Sequence, residues 1–118
     1  RRILQTTQRQ DRDSALSMTR LVVTADAEAD TRDILVYLEQ QAGRPVAADY
    51  ARRFSWTIER LVSMPEIGAP RPSLGLNTRV AVVFPYILIY DYAREDDTLT
   101  LLRILHGRRN ISRDLLQR

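Results

Sequence analysis

The segment from Thr78 to Arg109 decides the fold of this chain of 118 residues. It reads TRVAVVFPYILIYDYAREDDTLTLLRILHGRR and contains three apolar runs of strand length, separated by Pro85 and by the polar stretch 93–97. Connections this short place consecutive strands next to each other and antiparallel. The segment therefore predicts three strands, near Asn77–Phe84, Tyr86–Tyr92 and Thr98–His106.

Two amphipathic helices precede these strands. Apolar residues recur at helical spacing over residues 27–42 and again over residues 47–61. Gly43 is a natural end for the first helix, and Pro45 favours the first turn of the second. Because the connection is so short, we expect the helices to pack antiparallel as a hairpin.

A short strand over residues 20–24 comes before the helices, and Thr24 or Asp26 can cap the first helix. A final helical turn through Leu115 and Leu116 follows the last strand. The order β-α-α-β-β-β predicts an α+β fold in which the helical hairpin packs on a small antiparallel sheet, with a short C-terminal helix. Since the strands are apolar on both sides, we expect a partner chain to cover the face opposite the hairpin.

The first residues differ from the rest of the chain. Residues 1–17 are polar and weakly patterned, whereas the strand-like sequence begins soon after Met18. We interpret residues 1–17 as an N-terminal extension or an arm that docks on a neighbour, and residues 18–118 as one domain. A chain of this length can build one core without disulfides or metals.

Composition excludes several classes of protein. The chain has no cysteine and one histidine, so we expect no disulfide, no metal site and no cofactor. Its longest apolar stretch, Val80 to Tyr90, is too short to span a bilayer and contains Pro85. These features favour a cytoplasmic protein that is not bound to a membrane.

The charge is unevenly distributed. All 18 basic residues are arginine, and the net charge is +3 over residues 1–20, −4 over residues 21–102 and +4 over residues 103–118. Terminal clusters of this kind suit an anionic partner, either a nucleic acid or an acidic peptide. They fall short of the broad basic face typical of a DNA-binding domain.

Several short motifs, taken in order and spacing, resemble the ParE branch of the RelE/ParE toxin superfamily. They are the Pro-Tyr strand from Pro85 to Tyr90, the Asp97-Thr98 strand start, the LRILHGRR sequence from Leu102 to Arg109, and the Met-Pro-Glu-x-Gly loop over residues 64–68. The resemblance covers about residues 20–116. It implies a toxin of a bacterial type II toxin–antitoxin system, silenced by a co-encoded antitoxin that is usually of the ParD type.

The resemblance also implies a target. Characterised ParE-like toxins inhibit DNA gyrase and are not known to catalyse a reaction, whereas the RelE-like branch cleaves mRNA on the ribosome. The two branches share a fold, so only the site can distinguish them.

A metal-free ribonuclease needs a general base, a general acid and convergent cations. The candidates for these roles are His106, Arg103, Arg79, Tyr90 and Tyr92. Strand alternation places His106 on the face of Leu102 and Ile104, and Arg103 on the opposite face, unless the strand carries a bulge. We therefore expect a binding protein rather than an enzyme. The alternatives left open are a ribosome-dependent mRNA endonuclease and a non-toxic partner in a complex.

We expect six residues to bind the target or the antitoxin: Trp56, Arg79, His106, Arg108, Arg109 and Arg113. Trp56 lies opposite the apolar stripe of its helix, and tryptophans often anchor interfaces, although the long loop or the N-terminal arm could cover it instead. The terminal arginines suit carboxylate or phosphate groups, but a solvated end is the alternative. His106 is alternatively a cap at the strand end.

Three tyrosines share one strand face: Tyr86, Tyr90 and Tyr92. This spacing suggests either a surface on which planar groups stack or simply the high strand propensity of tyrosine.

Overall fold

The computed structural model describes residues 19–109 and 111–116, so the predicted arm over residues 1–17 lies outside the described residues. The helices are α1 (Ala25–Ala42) and α2 (Arg44–Ser63), and the strands are β1 (Arg20–Val23), β2 (Ala69–Pro70), β3 (Thr78–Val83), β4 (Tyr86–Ala93) and β5 (Thr98–His106). Single 3-10 turns form at Arg94–Asp96 and Arg113–Leu115. The predicted α+β order is confirmed, with β2 as an additional short strand.

The five strands form one sheet in the order β1-β5-β4-β3-β2. The three long C-terminal strands pair antiparallel, as their short connections predict, and β2 also pairs antiparallel with β3. In contrast, β1 pairs parallel with β5, from Arg20 opposite Thr98 to Val23 opposite Leu101. The sheet is therefore mostly antiparallel, with one parallel pair at an edge.

The helical hairpin follows from local chemistry at its ends. The Thr24 side chain caps α1 by accepting a hydrogen bond from the Ala27 N–H at 3.0 Å. Gly43 joins the helices with a φ of 95°, a conformation that glycine adopts without a steric penalty. Pro45 lies in the first turn of α2, where its missing N–H costs nothing.

The main core lies between the hairpin and the sheet. Phe54 and Leu61 of α2 pack there against Tyr86, Leu88 and Tyr90 of β4, and all five are buried. Tyr92 is partly buried against the same cluster. The three tyrosines thus belong to the core, which excludes the alternative of a stacking surface and agrees with the strand propensity of tyrosine.

The opposite face of the sheet has a second core formed by the chain itself. Ile89, Leu102 and Leu105 are covered there by Leu74 and Leu116, and all five are buried. Ile111 and Leu115 pack against the same cluster. The expectation that a partner chain covers this face is wrong, because the long loop and the C-terminal segment fold back over it.

A β-bulge changes the alternation of β5. Ile89 pairs with Arg103 while Tyr90 pairs with Leu101, so Leu102 is an extra residue in the ladder. As a result, Leu102 packs in the second core and Ile104 in the main core. The predicted single face for Leu102 and Ile104 is therefore wrong.

No helix in the described part of the chain is long and apolar enough to cross a membrane. Within the same residues, no group of three histidine, aspartate or glutamate side chains is placed to hold a metal ion.

Candidate binding surface

Arg79 and Tyr90 face each other in the β3–β4 ladder and together hold the loop before β2. The Tyr90 hydroxyl donates to the Pro65 carbonyl at 2.8 Å and accepts from the Gly68 N–H at 3.0 Å. Arg79 Nη1 donates to the carbonyls of Glu66 and Gly68, at 2.7 and 2.8 Å. Burial raises the pKa of Tyr90. Both side chains are therefore engaged in anchoring this loop.

Gly68 is required by this arrangement. A Cβ atom at this position would collide with the Tyr90 ring and lie 2.8 Å from the Val80 carbonyl oxygen. The chain joins the edge of β3 at Ala69, directly after this contact.

Arg103 lies on β5, away from Arg79 and Tyr90, and is held by α1 and the C-terminal segment. Its Nε and Nη2 donate to the two carboxylate oxygens of Asp30, at 2.7 and 3.0 Å, and its Nη1 donates to the Leu115 carbonyl at 3.0 Å. The Arg103 and Asp30 side chains are only 16% and 14% exposed. Donation of these hydrogen bonds to the Asp30 carboxylate raises the pKa of Arg103, so the guanidinium is charged. This bidentate pair ties β5 to α1 and to the C-terminal segment.

His106 lies at the exposed end of β5. Its ring packs edge-on against Tyr86 with a centroid distance of 5.7 Å, and its Nδ1 accepts the Arg108 N–H at 3.1 Å. The side chains of Arg108 and Arg109 follow in an exposed turn. Arg113 is also exposed, in the C-terminal 3-10 turn.

The five nuclease candidates do not converge on one cleft. His106 pairs with Tyr86, whereas Arg79 pairs with Tyr90, and four strand positions correspond to about 13 Å. Arg103 is occupied by Asp30. The hydroxyl of Tyr92 donates to Asp97 at 2.7 Å, which raises the Tyr92 pKa. A general base, a general acid and a cation therefore do not face one cleft.

Trp56 is exposed on α2, as its position opposite the apolar stripe predicts. Its side chain is 59% exposed, and the Arg60 guanidinium lies 5.1 Å from the ring centroid. The long loop approaches without burying it, and Ile67 of that loop is itself 49% exposed.

Sequence reasoning missed the exposed apolar residues at the end of β3. Val82 is 62% exposed and Phe84 is 81% exposed. Their signal is the run VAVVF over residues 80–84, which is apolar at every position where a half-solvated edge strand would alternate.

Two shallow grooves meet at Val82. The hairpin-side groove has Trp56, Arg60 and Ile67 along its lining, together with Val82. The far-side groove is lined by Val82, Phe84, Pro85, Ile87, His106 and Arg108. Three of the predicted binding residues, Trp56, His106 and Arg108, thus border one continuous surface around the β3 edge. Arg79 lines neither groove and instead holds the adjacent loop through the Glu66 and Gly68 carbonyls.

Comparison with known proteins identifies the family of this chain and solved structures that share its fold. A family model described as the ParE toxin of the type II toxin–antitoxin system parDE matches residues 21–111. Toxin ParE1 of Caulobacter vibrioides is 34% identical over 84 residues, which cover 71% of this chain and 84% of that protein.

Two solved structures share the fold. A chain of the chromosomal ParDE toxin–antitoxin system from P. aeruginosa aligns with a TM-score of 0.63 and 22% identity, covering 75% of this chain and 96% of that one. A chain of the RelBE2 toxin–antitoxin complex from Mycobacterium tuberculosis aligns with a TM-score of 0.53 and 22% identity, covering 76% and 99%. Because the family model spans most of the sequence and ParE1 is a relative over most of its length, this chain belongs to the ParE toxin family of type II toxin–antitoxin systems.

Proposed function

We propose that this chain inhibits DNA gyrase and that a ParD-like antitoxin keeps it inactive. The observation that carries the proposal is the combination of ParE family membership with nuclease candidates that lie apart in the structure. A toxin of this kind acts by binding, so it needs an exposed surface rather than a catalytic cleft. It would act in the bacterial cytoplasm, where gyrase works.

The exposed apolar side chains support an antitoxin partner. Trp56, Val82 and Phe84 are each more than half exposed and lie along one surface. Large apolar patches on a soluble protein mark interaction sites, since covering them removes apolar area from water. The ParDE system from P. aeruginosa, in which a toxin of this fold is paired with an antitoxin, is consistent with such a partner.

The arginines at the end of β5 support a contact with gyrase or its bound DNA. Arg108 and Arg109 are exposed beside His106, and arginine forms bidentate hydrogen bonds with carboxylate and phosphate groups. Arg113 adds a further positive charge in the C-terminal turn. No particular contact favours the mRNA endonuclease alternative, because its candidate residues are separated.

The test is a supercoiling assay with purified toxin and gyrase. We expect inhibition that the co-encoded antitoxin reverses. The double variant Arg108→Ala/Arg109→Ala should require about tenfold more protein for the same inhibition, which corresponds to the loss of about 1.4 kcal/mol of binding. Arg32→Ala, an exposed arginine of α1, is the matched control and should behave like the unaltered toxin.

Two results would contradict the proposal. One is unaltered supercoiling at micromolar concentrations of folded toxin. The other is cleavage of mRNA on programmed ribosomes that is abolished by His106→Ala, which would establish the endonuclease instead.

A further inference from the structure

The backbone of β3 has an open edge at Val82. In the antiparallel ladder with β4, the N–H and C=O groups of alternate residues point away from β4, and Thr78, Val80 and Val82 form this set. The Arg71 N–H donates to the Thr78 carbonyl at 2.9 Å, and Ala69 pairs with Val80. No strand pairs with Val82 on this side among residues 19–109 and 111–116.

The chain itself keeps this edge open. Continuing the β2 register by two residues would place Ile67 opposite Val82, but the Ile67 N–H donates to the Met64 carbonyl instead, at 3.0 Å. The loop therefore turns away from β3 before it reaches Val82.

The open edge lies between the two grooves. Successive side chains of a strand point to opposite faces of a sheet, so a strand added beside Val82 would insert alternate side chains into the hairpin-side groove and the far-side groove. Trp56 and Ile67 offer apolar contacts on one side, and Phe84 and Ile87 do so on the other. Such a strand would gain main-chain hydrogen bonds for affinity and side-chain pockets for specificity.

The charge around the edge identifies the chemistry of the occupant. Arg60 lines one groove and Arg108 the other, and within the described residues no carboxylate lines either groove. The surroundings are thus basic and apolar, and they suit an extended segment that is itself acidic.

We propose that an extended segment of the antitoxin, apolar at alternate positions and acidic at its ends, binds as an added strand at Val82. The inference rests on the proposed neutralisation by an antitoxin and names the place and the chemistry of that contact.

Charge disfavours the two other candidate occupants. Residues 1–17 carry four arginines against two aspartates, so this segment would bring positive charge to a basic edge. A second copy of the chain would bring its own Arg60 and Arg108. An acidic partner segment has neither disadvantage.

The primary test is calorimetric titration of the purified toxin with its co-encoded antitoxin. Val82→Pro removes the N–H at the open edge while sparing the ladder with β4, because proline is tolerated where the N–H faces solvent. We expect affinity to fall by about tenfold or more, since a hydrogen bond is lost and the ring blocks the approaching strand. Val82→Thr keeps the N–H and a similar shape, and it should bind within about threefold of the unaltered toxin, equivalent to under 1 kcal/mol.

A second measurement covers the case in which Val82→Pro does not fold. In the unaltered toxin, the Val82 amide should exchange with deuterium rapidly when the chain is alone and slowly in the complex. If the antitoxin binds but this amide stays unprotected, or if folded Val82→Pro binds with unchanged affinity, the added strand is refuted while neutralisation stands. Protection in the toxin alone would refute it in favour of a second copy or of residues 1–17. An antitoxin that does not bind refutes both proposals.

Discussion

Unpaired strand backbone is satisfied in different ways at two edge regions of the sheet. Beyond Leu101, no strand among the described residues lies beside β5 on the side of β1. Side chains of the helical segment close this stretch: the Thr24 hydroxyl donates to the Leu102 carbonyl at 2.9 Å, and Asp30 accepts the Ile104 N–H at 3.0 Å. We call this the closed edge. At Val82, the open edge, no strand of the described residues pairs on the side away from β4.

This difference assigns the closed edge to the stability of the fold and the open edge to the binding of a partner. Unpaired backbone groups that are buried are costly, and exposed strand edges invite pairing with other chains. At the closed edge this need is met within the chain and contributes to folding. At the open edge it is left to solvent or to a partner, and the apolar residues beside it are exposed at a cost that a partner can relieve.

The largest expected effect is at the closed edge. Asp30→Ala removes the acceptor of both Arg103 and the Ile104 N–H and leaves a largely buried guanidinium without its carboxylate. We expect a loss of about 3 kcal/mol in the free energy of unfolding, measured by urea denaturation. Asp33→Ala, an exposed aspartate on the same helix, should change it by less than about 0.5 kcal/mol. Equal stability of the two variants would show that Asp30 does not close this edge.

A smaller loss of stability is expected when the loop before β2 loses its contacts with Tyr90. Tyr90→Phe leaves the Pro65 carbonyl and the Gly68 N–H without the hydroxyl, which should cost about 1–3 kcal/mol in the same measurement. An unchanged denaturation midpoint would indicate that the hydroxyl is dispensable.

The same residue predicts a pH dependence. Burial raises the folded-state pKa of Tyr90 above its ordinary value of 10.0, so its contribution to stability is fully present below pH 10 and is lost as the pH rises through the folded-state value. Stability should therefore fall less steeply above pH 10 in Tyr90→Phe than in the unaltered protein. The remaining decline would come from other tyrosines such as Tyr86, whose pKa is also raised by burial.

At the open edge, substitutions should affect binding and spare folding. Trp56→Ala and Phe84→Ala alter exposed side chains, so each should change the free energy of unfolding by under about 0.5 kcal/mol yet weaken antitoxin binding by about tenfold. Val36→Ala is the control, because Val36 is half exposed but lies on α1 away from either groove. Equal affinities of all three variants would place the antitoxin elsewhere.

The smallest effect concerns charge. Arg60→Gln/Arg108→Gln should leave folding unchanged and reduce the dependence of antitoxin affinity on salt, since exposed ion pairs are weak and screened. The measurement is the affinity at low and at high ionic strength. An unchanged salt dependence would argue against acidic ends on the bound segment.

The sequence predicts the local elements better than their long-range relations. Pro85 and the short 93–97 connection were enough to place three antiparallel strands, and Gly43 with Pro45 predicted the hairpin. The parallel pairing of β1 with β5 joins residues far apart in the chain, which local periodicity does not encode. The cover of the second core was missed because the charged C-terminal segment hides three apolar residues, Ile111, Leu115 and Leu116.

The site was predictable only in part, for the same reason. Helical periodicity correctly predicted that Trp56 is exposed, since the direction of a helical side chain depends on local spacing. The bulge at Leu102 could not be read from apolar residues that continue on both sides of it. Nor could the partnership of Arg103 with Asp30, because the two residues are 73 positions apart in the chain.

The most direct test of the contrast is amide exchange at two positions in one experiment, with the toxin alone and in complex with its antitoxin. The Ile104 amide, held by Asp30, should exchange slowly in both states. The Val82 amide should exchange rapidly in the toxin alone and become protected in the complex. A Val82 amide whose exchange rate does not change on antitoxin binding would contradict the assignment of the open edge to the partner.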